Sequence, residues 1–385
     1  MRYLWYSITI FVGSLAIYSL FFHQPRGVQP TPGPIASQPP EAVEVEHAVS
    51  DSDVQIALLL DTSSSMDGLI GQARTQLWDI VAALQTDDED RPRTVSVALY
   101  QYGNSRLDSS DGFIERLSGL TTELDGVSVK LHALSTSGGK EYAPTAILRA
   151  VEELDWSDDD SPEKVIVVAG NEGFGQGKIS PRDALARAAS KGIKVVPIFC
   201  ANGGSSSAGL TSWKQAAALA QTDLETIDPD RKIAELETPY DAEIVKKYRE
   251  LQKTRLTYGE QSYVREVESV SSAANAYVGE QSTAVQASRA VTQTRQGYRQ
   301  DLTADYGSKV HLDHLKQEQL PTQLRGLSKD EQVLVIQQNK AKRENLEKEI
   351  EGLRNKRAAA RKEMLNEGFG KAAPSLGSSV SSKLR

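Results

Sequence analysis

The stretch Val54 to Met66, VQIALLLDTSSSM, constrains this chain more than any other. Its apolar run, Ile56 to Leu60, stops at Asp61, and hydroxyls follow at alternate positions, Ser63 and Ser65. A short unbroken apolar run bounded by polar turn residues reads as a strand buried on both faces, the kind found in parallel sheets. The Asp-x-Ser-x-Ser loop then stands at the carboxyl end of a strand, where open α/β sheets place their ligands. One carboxylate and two hydroxyls are hard oxygen donors, better suited to Mg2+ or Mn2+ than to zinc or copper. A helix N-cap draws on the same residue types to satisfy orphan amides. Spacing alone leaves both readings open.

Further strands and helices alternate after this one. Leu69, Ile70, Ala73, Leu77, Ile80, Val81 and Leu84 recur at helical spacing, and Thr94 to Tyr102 reads as a second strand. An edge segment around Gly112 to Leu117 leads to helices over Thr122 to Leu134 and Pro144 to Leu154. Lys164 to Ala169 and Ile193 to Phe199 are buried strands, with a helix from Asp183 to Lys191 between them that stops at Gly192. Ser212 to Ala220 is a short helix and Leu224 to Ile227 a last strand. This order predicts an α/β domain over residues 53–238, a mostly parallel sheet with helices on both faces. Three loops then meet at its carboxyl edge: the one holding Asp61, the segment Ser137 to Ile147, and the segment after Ala169.

The first loop, with its strand before and helix after, resembles the metal-ion-dependent adhesion site of von Willebrand factor type A domains. DTSSSMDGLIGQA, with the later GGKEY and AGNEGF, is similar to a bacterial cell-envelope subfamily of these proteins. The resemblance covers about residues 53–238. It implies a Rossmann-like fold and a divalent cation on Asp61, Ser63 and Ser65, with Mg2+ first and Mn2+ or Ca2+ as alternatives. It also implies a partner protein whose acidic residue completes the coordination. The family's second loop supplies a Thr or an acidic residue about five positions before a helical Ala-Ile pair, and counting back from Ala146 gives Glu141. Thr145 is the weaker candidate, because it falls in the helix's first turn. Most relatives end the third strand in Thr-Asp-Gly, whereas here Gly170 falls where that Asp would be. Asn171 and Glu172 come next, and either could reach the ion directly or through water. Glu141 would restore the negative charge that the third loop lacks. The opposing account is a loop kept only for its caps, with no metal.

No catalytic constellation is legible elsewhere. GNEGFGQGK departs from a phosphate-binding loop, since Gly177 and Lys178 are followed by Ile179 and Glu172 stands where the first glycine belongs. His311 and His314 stand three apart, without the Glu of a zinc-protease motif. A serine hydrolase needs a nucleophile with a positioned base, and none can be assembled from motifs here. A hydrolase using the ion to activate water would need a general base that the sequence does not offer. The expectation is therefore a protein that is not an enzyme.

Composition bounds the setting. A net charge of -8 leaves no basic excess to neutralise phosphates, which argues against nucleic-acid binding. The single cysteine, Cys200, excludes an internal disulfide framework and reads as a buried thiol. Leu4 to Phe22 carries no charge and is long enough to span a bilayer, so residues 1–22 are expected to form a membrane anchor, a cleaved signal peptide being the competing reading. Both place the bulk of the chain outside the cytoplasm, in a periplasmic or other extracytoplasmic envelope setting. Residues 23–52, rich in proline, read as a spacer. Residues 239–366 read as long, modestly amphipathic helices interrupted at Pro321 and Gly326. Within them Leu346, Ile350, Leu353, Ala360 and Met364 follow a four-three spacing broken by Arg357, a weakly specified coiled coil that needs an earlier helix or another copy of the chain as partner. Residues 367–385 read as a disordered tail. The leading expectation is an anchored envelope protein that binds a partner through the cation. The alternative is a scaffold in which the helices are the active part and the metal site is vestigial.

Overall fold

The run that ends at Asp61 forms strand β1 (Val54–Asp61), every residue of it buried. That burial on both faces is why its sequence is continuously apolar and not alternating. The computed structural model describes residues 52–86, 91–201, 206–233, 235–368 and 374–383. They belong to one compact unit spanning Ala48–Arg385. The expected anchor over residues 1–22 lies outside them, as does the spacer over 23–52 except for Ser52. Among the described residues no helix is long and apolar enough to cross a membrane.

The strands after β1 are β2 (Val95–Tyr102), β3 (Ile114–Thr121), β4 (Glu163–Gly170), β5 (Ile193–Cys200) and β6 (Glu225–Ile227). They form a six-stranded sheet in the order β3-β2-β1-β4-β5-β6. All pairings are parallel except β2 with β3. Strand order reverses between β1 and β4, so the crevice at their carboxyl ends, beside Asp61 and Gly170, is where ligands of open α/β sheets bind.

Helices cover both faces, as expected from the alternation. On one face α3 (Ala143–Glu153), α4 (Pro181–Ser190) and α5 (Ser207–Leu219) pack over Ala57, Leu59, Tyr100, Tyr102, Val168 and Phe199. On the other, α1 (Asp67–Leu84) and α2 (Leu124–Ala133) pack over Ile56, Leu58, Leu60, Val97 and Val167.

The chain beyond residue 238 continues as α6 (Asp241–Gln252), α7 (Gln261–Gly279), α8 (Thr283–Gln296), the single turn α9 (Leu302–Asp305) and α10 (Lys329–Asn366). These helices share the sheet domain's compact unit, with Val278 and Val285 entering its core. Hydrogen bonds fasten α8 to the sheet domain: Thr292 Oγ1 donates to the Trp78 carbonyl at 3.0 Å and Gln296 Nε2 to the Val95 carbonyl at 2.7 Å. The partner that α10 needs is supplied within the chain, since Leu346, Ile350 and Leu353 pack with residues of α6 and α8. Arg357, the residue that broke the apolar seam, is buried and donates to Asp241 at 2.6 Å and to Ser288 Oγ at 2.9 Å.

One expectation is overturned. The segment read as a disordered tail contains helix α11 (Leu376–Lys383). Leu376 and Val380 are buried in the sheet domain's core. The Leu376 and Gly377 amides donate to Gln72 and Gln76 on α1 at 3.1 and 2.5 Å. Composition missed it because two apolar side chains, four residues apart among serines, suffice once an existing core offers a slot for them.

Candidate metal centre

Asp61 is the last residue of β1, and its side chain shares a face of the sheet with Ala57 and Leu59. The carboxylate is fully buried. Oδ1 accepts the Ser63 amide at 2.7 Å, whereas Oδ2 has no hydrogen-bond partner. The serines that follow are not caps: α1 begins at Asp67 after Met66, and no side chain caps its amides. Ser63 Oγ is buried with no partner. Ser65 Oγ accepts a 2.9 Å hydrogen bond from Asn171 Nδ2.

The other two loops close around this one. Loop two is joined to it by Ser64 N to the Gly138 carbonyl at 3.0 Å, Gly138 N to Ser64 Oγ at 2.9 Å and Ser137 N to the Thr62 carbonyl at 2.9 Å. Glu141, two residues before α3, is buried there. Its Oε2 accepts the Glu172 amide from loop three at 3.2 Å. Thr145 lies in the first turn of α3, as expected.

Loop three separates its two candidates. Asn171 is buried, its Nδ2 is committed to Ser65, and its Oδ1 has no partner. Glu172 turns its side chain to solvent at the rim, while its carbonyl is held by Trp213 Nε1 at 2.6 Å. Of the two, Asn171 is the buried one, tied to the first loop at Ser65. Gly170 lies beneath it at the end of β4.

Burial pushes the Asp61 carboxyl well above its usual range, and the Glu141 charge beside it pushes it further. Burial raises Glu141 as well, offset in part by hydrogen bonding with Asp61. Both shifts favour keeping a proton at the pair when no cation is present. A divalent ion is the natural replacement for that proton. Three buried oxygens, Asp61 Oδ2, Ser63 Oγ and Asn171 Oδ1, lack partners here, and a buried polar atom without a partner costs about 1–3 kcal/mol. All three are hard donors, so the residues present fit a hard divalent ion. Among the described residues no cluster of three or more His, Cys, Asp or Glu is placed to hold a metal; this donor set depends instead on hydroxyl and amide oxygens. His311 and His314 are exposed, their rings 5.8 Å apart edge to face.

Two neighbours escaped the sequence reading. Tyr102 is buried and donates to the Ala169 carbonyl at 2.9 Å. Burial, then the Asp61 and Glu141 charges, push its phenol well up, so it stays a neutral donor. Gly103, with φ +85°, lies so close that a Cβ would stand 2.7 Å from Asp61 Oδ1. The Gln-Tyr-Gly end of β2 was visible in the sequence as a strand, but nothing in a strand pattern says what its last side chain reaches. Cys200 is buried at the end of β5, and burial holds its thiol well up.

A parallel sheet with oxygen donors gathered at its switch point defines a class of ligand-binding α/β domains. Residues 55–223 match the von Willebrand factor type A domain, and the chain carries a domain of that family. No curated protein matches the sequence. Among solved structures, proximal thread matrix protein 1 from the mussel byssus is 16% identical, with a TM-score of 0.35, over 48% of this chain and 44% of that one. A structure of the same mussel protein has a zinc occupied MIDAS motif. BatB from Bacteroides thetaiotaomicron is 15% identical, with a TM-score of 0.35, over 46% of this chain and 90% of that one. The SpRpn10 VWA domain is 15% identical, with a TM-score of 0.36, over 46% and 90%.

Proposed function

We propose that this chain binds a protein partner through a divalent cation, Mg2+ first and Mn2+ or Ca2+ as alternatives. Asp61, Ser63, Ser65 and Glu141 would hold it, with Asn171 closing the third side. The observation that carries this reading is the set of unpartnered buried oxygens on three loops that are hydrogen-bonded to one another. Folding leaves such atoms without partners at a cost, and a bound ion removes that cost. An ion whose coordination these residues leave incomplete would keep positions for outside oxygens, and an acidic side chain of a partner is the ligand that best balances its charge. The type A fold agrees, since such domains commonly mediate metal-dependent contacts between proteins and are interaction modules more than enzymes. We place the domain outside the cytoplasm, anchored by residues 1–22 and held off the membrane by residues 23–52, in a bacterial envelope.

A second reading is favoured by one observation, the firm attachment of the helical layer to the sheet domain. In it the helices are the working surface, with the sheet domain as their base and the metal site vestigial. Calorimetric titration with Mg2+ and Mn2+ separates the two. Binding that Asp61→Ala and Glu141→Ala abolish, in variants that still melt cooperatively, supports the first. No binding by the unaltered protein supports the second.

A further inference from the structure

Neighbouring residues of an in-register parallel sheet face the same side, so the last row on one face of this sheet reads Tyr102, Asp61, Gly170, Phe199 across β2, β1, β4 and β5. Tyr102 is paired with Asp61, yet its hydroxyl reaches past β1 to the Ala169 carbonyl on β4, 2.9 Å away. Gly170 makes room for it. A Cβ at position 170 would stand 2.4 Å from the Tyr102 hydroxyl and 3.2 Å from Asp61 Oδ2. On the opposite side, a Cβ at Gly103 would stand 2.7 Å from Asp61 Oδ1 and 3.0 Å from Glu141 Cγ. Asp61 is thus held in a slot whose two walls are glycine backbone, and the Tyr102 hydroxyl ties the strands that carry those walls.

We propose that Tyr102 is a positioning residue of the cation site: its hydrogen bond across β1 sets the spacing of β2 and β4 under Asp61 and so fixes the direction in which the carboxylate presents Oδ2. This rests on the metal reading given above. Tyr102 touches no proposed ligand atom by hydrogen bond; it acts through the backbone of the flanking strands. The arrangement also accounts for the missing side chain in loop three. Position 170 must be glycine while residue 102 is tyrosine, which leaves Asn171 to provide that loop's oxygen. The bland alternative is a tyrosine that merely fills the core and satisfies its own hydroxyl.

Tyr102→Phe keeps the ring and removes only the hydroxyl, so it separates the two. A positioning role predicts that the full-length protein with this change still melts cooperatively but binds Mg2+ about tenfold more weakly, the loss typical of outer-shell partners of a metal site. It also predicts a broadened Mn2+ electron paramagnetic resonance spectrum, because the ligand geometry is less fixed. Gly170→Ala perturbs the same hydrogen bond from the other side. It should lower both the melting temperature and Mg2+ affinity, and adding Tyr102→Phe should recover part of the melting temperature by removing the collision. If Tyr102→Phe does not fold, the affinity of Gly170→Ala alone decides. Binding within about twofold of the unaltered protein in the folded variants overturns the positioning role. If the unaltered protein binds neither Mg2+ nor Mn2+, the metal reading has failed and this proposal falls with it, whereas normal binding in all variants sinks only the proposal.

Discussion

Among the described residues, two of the places that bury carboxylates treat them in opposite ways. Where the helical layer meets the sheet domain, Asp125 on α2 receives both arms of the Arg289 guanidinium at 2.9 Å each, and Arg289 Nη1 donates to Asn275 on α7 at 2.7 Å. The guanidinium also lies 5.6 Å from the Tyr248 ring centre and 5.9 Å from that of Trp78. Burial pulls the Arg289 pKa down, but the Asp125 charge pushes it up further, so it stays charged. At the carboxyl edge of the sheet, Asp61 and Glu141 are buried together with no cationic side chain bonded to either, and Asp61 Oδ2 is bare. A buried charge with a partner holds structure, and a buried charge facing its own kind is kept for something that arrives later. This contrast is the physical basis for the proposal that function lies at the sheet edge and attachment at the helical seam.

The sharpest way to break the comparison is to unpair the paired carboxylate. Arg289→Ala leaves Asp125 buried without its cation, a loss expected to cost about 3–5 kcal/mol. Chemical denaturation should show that loss, and Mg2+ binding should survive at temperatures where the variant is still folded. An Arg289→Ala protein as stable as the original would mean that the seam is held by apolar packing alone.

The opposite substitution should have the opposite sign. Asp61→Asn removes one ionisable carboxyl from the buried pair, and with it the repulsion by Glu141 that adds to burial in raising Asp61, so the metal-free protein should gain stability, by about 0.5–2 kcal/mol, as stabilising changes at functional sites commonly do, while losing Mg2+ binding. A metal-free protein destabilised by this change would show that Asp61 is structural. The same pair sets a pH dependence. Its carboxyl pKa values are raised on folding, so the folded form holds a proton that the unfolded chain releases in the ordinary carboxylate range. The contribution is therefore full at low pH and is lost as pH climbs through the raised values. Melting temperatures of metal-free protein should fall across that window, and saturating Mg2+ should flatten the slope. An identical slope with and without Mg2+ would place the titration elsewhere.

Much of this contrast was legible in the sequence, for reasons that differ by residue. Asp61, Ser63 and Ser65 stood out because a buried strand announces itself by an apolar run and its end by the first polar residue. Glu141 was found only by a family's spacing, since an acidic residue in a glycine loop has no local signature. Asn171 and Glu172 could not be told apart, because adjacent residues in a loop point in directions set by tertiary contacts, here Ser65 on one side and Trp213 on the other. Tyr102 and Gly103 were hidden, as was the pairing of Asp125 with Arg289 across 164 positions of sequence. The apparent defect at Arg357 was a pairing of the same kind, invisible until Asp241 is placed beside it.

The smallest expected change in stability belongs to Ser63, and it refines the contrast. Its hydroxyl is buried beside the Asp61 and Glu141 carboxyls, has no hydrogen bond of good geometry and does not cap α1. If stability were its purpose, removing it would be costly. Because the group is already desolvated and unpaired, Ser63→Ala should instead leave the metal-free melting temperature unchanged or slightly higher. Affinity for Mg2+ should nevertheless fall by at least about tenfold, since a donor is gone from a shell that has few to spare. Ser288 is the matching control at the seam. It too is buried, but its hydroxyl donates to Asp79 at 2.6 Å and accepts from Arg357 at 2.9 Å. Ser288→Ala should therefore lower stability by about 1–3 kcal/mol and leave Mg2+ affinity alone. Two buried serines that respond in opposite ways would establish that the unsatisfied group serves the ion and the satisfied one the fold. A stability loss at Ser63 equal to that at Ser288 would remove the distinction on which the metal reading depends.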